Sequence, residues 1–159
     1  ARRLVEAGTR FVTTVNGPSI TWDTHKDNFN GLKNRLVPPM EKASAALPDD
    51  LEERGLLDTT LVVWMGEFGR TPQINADAGR DHWPGCYTVV MAGGGLRVGQ
   101  VIGASDNIGA YPAERPVSPA DIHATVFAAL GYDPRSIHYR SADGRPVALT
   151  EGTPLRELF

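Results

Sequence analysis

The feature that most constrains this chain is the run Leu61-Val62-Val63-Trp64-Met65, which ends abruptly in Gly66-Glu67-Phe68-Gly69-Arg70-Thr71-Pro72. Five consecutive apolar residues without alternation describe a strand covered on both faces, which is how strands of parallel sheets are buried. A second run, Tyr87 to Ala92, has the same character, and Gly93-Gly94-Gly95 turns the chain out of it toward a shorter strand over Leu96 to Ile102. With the helical patterns before and after these runs the order is αβ…αβ…β…α, so the expected class is α/β, a layered fold with a mostly parallel sheet and helices on both faces. In such sheets functional groups collect at the C-terminal ends of strands, where Glu67 stands.

The helices are written in caps and periodicity. An opening helix stops at Gly8, and Arg10 to Val15 reads as a strand closed by the turn Asn16-Gly17-Pro18. Apolar residues at Phe29, Leu32, Leu36, Met40, Ala43, Leu47 and Leu51 recur in steps of three and four, marking one helical face. Pro38 and Pro39 should break or kink it, and Pro48 should open a new segment at its first position, with Gly55 closing it. Ser118-Pro119-Ala120-Asp121 is a helix start in which Ser caps and Asp faces the free amides; Ile122, Val126, Ala129 and Leu130 form its buried stripe, ended by Gly131. From Tyr132 the chain reads as polar loop up to the apolar end Leu155 to Phe159.

Bulk properties exclude several classes. The 159 residues fit one domain with a real core. A net charge of −3 offers no basic stripe for nucleic acid. No apolar run approaches the ~20 residues of a membrane span. The single cysteine, Cys86, excludes an internal disulfide and reads as a small buried residue rather than a reactive thiol. The chain opens on Ala1-Arg2-Arg3 without an initiator Met, and is expected to be part of a longer polypeptide.

Chemistry-bearing residues cluster in three places. Asp23 and His25 flank one residue within Thr21-Trp22-Asp23-Thr24-His25-Lys26, and Asp81 precedes His82 in Gly79-Arg80-Asp81-His82-Trp83. Carboxylate oxygen and imidazole nitrogen are what zinc and harder cations take, so each pair is either a ligand pair or an Asp capping a turn beside an exposed His. Glu67, at the end of an apolar strand, requires a cation or donors: a metal, or an ion pair with Arg70 or Arg80. Those two arginines suit oxyanions, since a guanidinium fork matches phosphate, sulfate and carboxylate. His123 lies at the edge of a helix stripe and His138 in a loop, and both have weaker claims. No phosphate loop follows the triple glycine, and no Gly-x-Ser-x-Gly elbow is present.

Together, Trp22-Asp23-Thr24-His25…Asn28-Phe29, Gly66-Glu67-Phe68-Gly69-Arg70-Thr71-Pro72 and Gly79-Arg80-Asp81-His82-Trp83-Pro84 closely resemble the DUF1501 family, over essentially the whole chain. That family is bacterial, abundant in planctomycetes, and grouped with the alkaline-phosphatase/sulfatase-like superfamily. The resemblance implies an alkaline-phosphatase-like layered fold, incomplete at its N-terminal side, with this chain as the C-terminal portion of a single domain. It also implies divalent metal ions (zinc, calcium, magnesium or manganese) and a phosphate or sulfate ester as substrate, small-molecule or glycan. The implied metal ligands are Asp23, His25, Glu67 and His82, converging at one edge of the sheet; Arg70, Arg80 and Asp81 would act on the substrate. A periplasmic or extracytoplasmic location is implied by the family alone. Phe68 stands where the superfamily often has a ligating His, and the Asp23-x-His25 spacing is tighter than its usual pattern. The superfamily nucleophile lies upstream of the matched region, so the isolated chain is expected to be catalytically silent. The alternatives are an exported metal- or glycan-binding protein that keeps the fold without turnover, and a purely structural α/β domain.

Overall fold

A computed structural model describes residues 1–15, 17 and 21–159. The chain begins with helix α1 (Arg2–Glu6). Helix α2 (Asn28–Gly31) then runs through a π-helical turn, Leu32–Leu36, into the long helix α3 (Val37–Glu53). Short strands follow: β1 (Leu61–Trp64), β2 (Gly69–Arg70), β3 (His82–Trp83), β4 (Val90–Gly93), β5 (Ala104–Ser105) and β6 (Pro112–Glu114). Helix α4 (Pro119–Ala129) and the hairpin β7 (His138–Arg140) and β8 (Pro146–Ala148) complete the order. No helix among the described residues is long and apolar enough to cross a membrane.

The helices end as their residues dictate. At the close of α3, Gly55 takes a left-handed φ of +66°, its amide reaches Glu52 O at 2.9 Å and the Leu56 amide reaches Leu51 O at 2.8 Å. The same paired closure recurs after α4, with Gly131 to Ala128 O and Tyr132 to Phe127 O, both at 2.9 Å. This double bond at the C-terminus satisfies carbonyls that have no helical donor, and glycine accepts the backbone conformation without a Cβ penalty. At the start of α4 the capping box is complete: Asp121 N–H donates to Ser118 Oγ at 3.2 Å and Ser118 N–H to Asp121 Oδ2 at 2.9 Å.

Several local expectations are corrected. Pro48 does not open a helix; α3 runs through it, anchored beyond by Leu51, which is 1% exposed. Burial of that turn outweighs the hydrogen bond lost at the proline. Pro38 and Pro39 do not break the helix either. They withhold the amides that the Asn34 and Arg35 carbonyls would take, and the preceding turn widens to the π register, with Val37 N–H reaching Leu32 O. Residues 10–15 form no strand: Phe11 and Val15 are 81% and 77% exposed, and no described strand pairs with them. The turn at Asn16 and Pro18, and Ser19, lie outside the described residues. Leu96 is buried, but the segment from Leu96 to Ile102 forms no strand; Arg97 N–H bonds Leu158 O at 2.8 Å instead of a ladder partner. The polar stretch after Tyr132 contains the β7–β8 hairpin, Tyr139 opposite Val147. On α4 the buried face passes through Ile122, Ala124 and Thr125, while Leu130 is 55% exposed. The reason is the returning C-terminal segment: Leu155 N–H donates to Thr125 Oγ1 at 3.0 Å, and Leu155 is itself buried.

The strands pair two by two, each pair antiparallel. β1 lies against β4 with Leu61 opposite Gly93 and Trp64 opposite Val90, and the second apolar run becomes a strand only from Val90. No residue of this pair is fully buried, and Trp64 and Val90 are 37% and 54% exposed. The accessible surface, 11200 Å² at 17.2 kDa, exceeds the roughly 7,800 Å² that a folded monomer of this mass exposes. The β2–β3 ribbon and the loop before α2 set the site.

Candidate functional site

Two loops build the site. The first, residues 21–27, carries Asp23 and His25 ahead of α2. The second connects β2 to β3, whose register sets Gly69 opposite Trp83 and Arg70 opposite His82. Gly69 is required there, because a Cβ would lie 2.1 Å from Cys86 O. The two loops are laced by backbone bonds: Asp27 N–H to Asp77 O and Asn28 N–H to Ala78 O, both 3.0 Å, and Arg80 N–H to Thr24 O at 3.2 Å.

Asn75 is the hub of the second loop. Its Oδ1 accepts from the amides of Asp77 (3.0 Å) and Gly79 (2.8 Å), and its Nδ2 donates to His25 O (2.9 Å) and Asp81 Oδ1 (3.2 Å). One amide side chain thus shapes its own loop and ties it to the other. Beneath the first loop Asn28, 4% exposed, accepts from the Thr24 hydroxyl.

The result is a convergence of three ligand-type atoms. Asp23 Oδ1 and His82 Nε2 are 2.7 Å apart, Asp23 Oδ1 and His25 Nε2 3.0 Å, and the two Nε2 atoms 3.2 Å. Behind His25, Asp81 Oδ1 stands 2.7 Å from Nδ1. His25 thus faces a carboxylate through each ring nitrogen, Asp81 at Nδ1 and Asp23 at Nε2. His82 is packed between two rings, Phe68 at 4.3 Å and His25 at 4.8 Å between centroids. Arg70 donates to Asp23 Oδ1 at 2.7 Å, to Trp22 O at 3.1 Å and to Arg80 O at 3.2 Å.

These contacts set the charges. Donation by His82, then by Arg70, holds the Asp23 carboxyl down at about 2. The His25 imidazole, then Asn75, holds Asp81 below the usual carboxylate range. Both acids are ionised at neutral pH.

Of the residues singled out from sequence, Asp23, His25 and His82 come together, with Asp81 behind them and Arg70 beside them. Glu67 does not join them; it is exposed and, among the described residues, pairs with neither Arg70 nor Arg80. The Arg80 guanidinium lies 5.8 Å from the centre of the Phe29 ring, and its buried Nε has no partner among the described residues. His123 and His138 are exposed and outside the cluster. Cys86 is a free, half-buried thiol. Sequence reasoning passed over Asn75, whose signal was the turn-forming Asn-Ala-Asp-Ala-Gly stretch at 75–79.

No curated protein and no solved structure matches the chain. The family described as "Protein of unknown function (DUF1501)" matches it over residues 1–159. On that whole-length match, the chain belongs to the DUF1501 family.

Proposed function

We propose that Asp23, His25 and His82 hold a divalent metal ion, and that the chain is the metal-binding part of an alkaline-phosphatase/sulfatase-like hydrolase for phosphate or sulfate esters. The observation that carries this is the convergence of one carboxylate oxygen and two imidazole nitrogens within 3.2 Å of one another. Carboxylate oxygen and imidazole nitrogen are the donors that such an ion takes. A cation at the centre satisfies all three.

The geometry fits one. The three atoms are 2.7, 3.0 and 3.2 Å apart, close enough together for one ion at zinc distances of ~2.1 Å to reach all of them. Two imidazoles favour zinc over magnesium or calcium, which prefer all-oxygen sets. Asp81 on Nδ1 of His25 is the outer carboxylate that orients a ligating imidazole, and Arg70 orients Asp23. When bound, the metal supplies Lewis acidity toward an ester oxygen. His25, His82 and Asp23 are 39%, 49% and 37% exposed, so the cluster is open to a ligand from solvent. Glu67 has no part in this site.

The layered fold belongs to the same proposal. The half-exposed β1–β4 pair and the excess surface suit strands that are covered and extended by further polypeptide, which would also bring the nucleophile. Zinc titration tests the site: the wild type should bind one ion, and Asp23→Ala and His82→Ala should each lose most of the affinity. Phosphate and sulfate mono- and diesters offered to the full-length protein then test turnover. A second reading, metal binding without hydrolysis, is favoured by Phe68, which packs against His82 instead of offering a ligand.

A further inference from the structure

We infer that Arg35, with Lys26, forms an oxyanion-binding subsite in the cavity that Asp23 and His25 also line. A cavity of about 540 Å³ is lined by Thr21, Asp23, Thr24, His25, Lys26 and Arg35. It therefore has two of the proposed metal ligands, Asp23 and His25, and two cations, Lys26 and Arg35, among its lining residues. The cavity is larger than a lone ion needs.

The arginines around the site are not equivalent. Arg70 spends its guanidinium on Asp23 and two carbonyls, which makes it a positioning residue. Arg80 packs on Phe29 and does not line the cavity. Arg35 lines it, is exposed, and has no hydrogen bond or ion pair among the described residues, so its fork of donors is open. Lys26 is held only by Asp77 at 3.6 Å and is 79% exposed, a pairing weak enough for an arriving anion to compete with.

Arg35 owes its place to the backbone. It lies in the π turn Leu32–Leu36, the widened register imposed by Pro38 and Pro39. Such turns re-phase the side chains that follow and recur at functional sites. Asp23 is already matched by Arg70 and Asp81 faces His25, so among the described residues the acidic partner of these two cations is Asp77, on Lys26. The complementary ligand is an oxyanion, phosphoryl or sulfuryl, gripped by the Arg35 guanidinium fork. This deepens the metal-site reading by giving the other half of the ligand its own contact.

Calorimetric titration of the full chain with phenylphosphonate and with benzenesulfonate, zinc-loaded and metal-free, tests it, alongside a zinc titration of each variant. Arg35→Ala and Arg35→Gln should keep the zinc affinity of the wild type and lose about ten- to a hundred-fold in affinity for the tighter-binding anion. Alanine favours the helix, and glutamine serves if the alanine variant misfolds. Of the two probes, the one bound more tightly names the ester. Equal anion affinity in wild type and both variants, or no anion binding by the wild type, overturns the subsite. Absence of zinc binding with Arg35-dependent anion binding intact overturns the metal reading and leaves the subsite standing.

Discussion

Gly79 is the point where the two site loops touch most closely, and Gly79→Ala should pull the site apart. A Cβ there would lie 1.9 Å from His25 O, 2.0 Å from His25 C and 2.6 Å from Lys26 N. All three are backbone atoms and no rotamer change relieves them, so the loops must separate by about 1.5 Å to reach ordinary contact. Four bonds to main-chain carbonyls hold that seam: Asp27 to Asp77 O, Asn28 to Ala78 O, Arg80 to Thr24 O, and Asn75 Nδ2 to His25 O. At about 0.5–1.5 kcal/mol each, with some surviving, the loss is roughly 2–4 kcal/mol. For a domain of this size that lowers the melting temperature by roughly 5–15 °C. The same movement carries Asp81 and His82 away from Asp23 and His25. A shift of about 1.5 Å far exceeds the ~0.2 Å tolerance of a metal site, so zinc affinity should fall at least about a hundred-fold. Thermal denaturation by circular dichroism and a zinc titration read both effects. A Gly79→Ala protein that melts within a degree or two of the wild type and binds zinc as tightly would refute the seam as described.

Asp81→Asn keeps the size of the side chain behind His25 and removes its charge; zinc affinity should drop about 10–100-fold with stoichiometry unchanged, read by competition with a chelating dye. Glu67→Gln should leave zinc binding and melting temperature as in the wild type, and a loss of metal would return Glu67 to the ligand set. The carboxyl of Asp121 is held below the usual range by the Thr153 amide first and then by the amide and hydroxyl of Ser118. A folded-state value below the unfolded one stabilises fully above the ordinary aspartate range near pH 4 and fades as pH falls through the folded value. The acid-induced drop in melting temperature below about pH 4 should therefore be shallower in Asp121→Asn than in the wild type.

What the sequence makes legible here is local. The capping box at Ser118 and Asp121, and the glycine closures at Gly55 and Gly131, depend on residues within one turn and can be read directly. The acid–imidazole pairs could be named because their chemistry is intrinsic, and Asp23, His25 and His82 do meet. Which oxygen meets which nitrogen was not legible, since the contacts span 56 to 59 residues and depend on how two loops dock. Glu67 was singled out from its place at a strand end, yet the chain leaves β1 with that side chain in solvent. Pro48 shows the opposite failure: a strong local signal was overridden by the burial of Leu51. Arg35 was invisible, because its role depends on a register change in the helix that a 3.6-residue period cannot anticipate. The β2–β3 ribbon was missed for a related reason, being two residues a side and held by Gly69 and Trp83 across a long loop.

The central claim is that two imidazoles and one carboxylate bind one metal ion. X-ray absorption at the zinc edge of the protein loaded with one equivalent tests it most directly. The account predicts a first shell of nitrogen and oxygen at about 2.0–2.1 Å with the outer-shell signature of two imidazoles, reduced to one in His82→Ala. A wild-type spectrum without imidazole, or one that His82→Ala leaves unchanged, would contradict it.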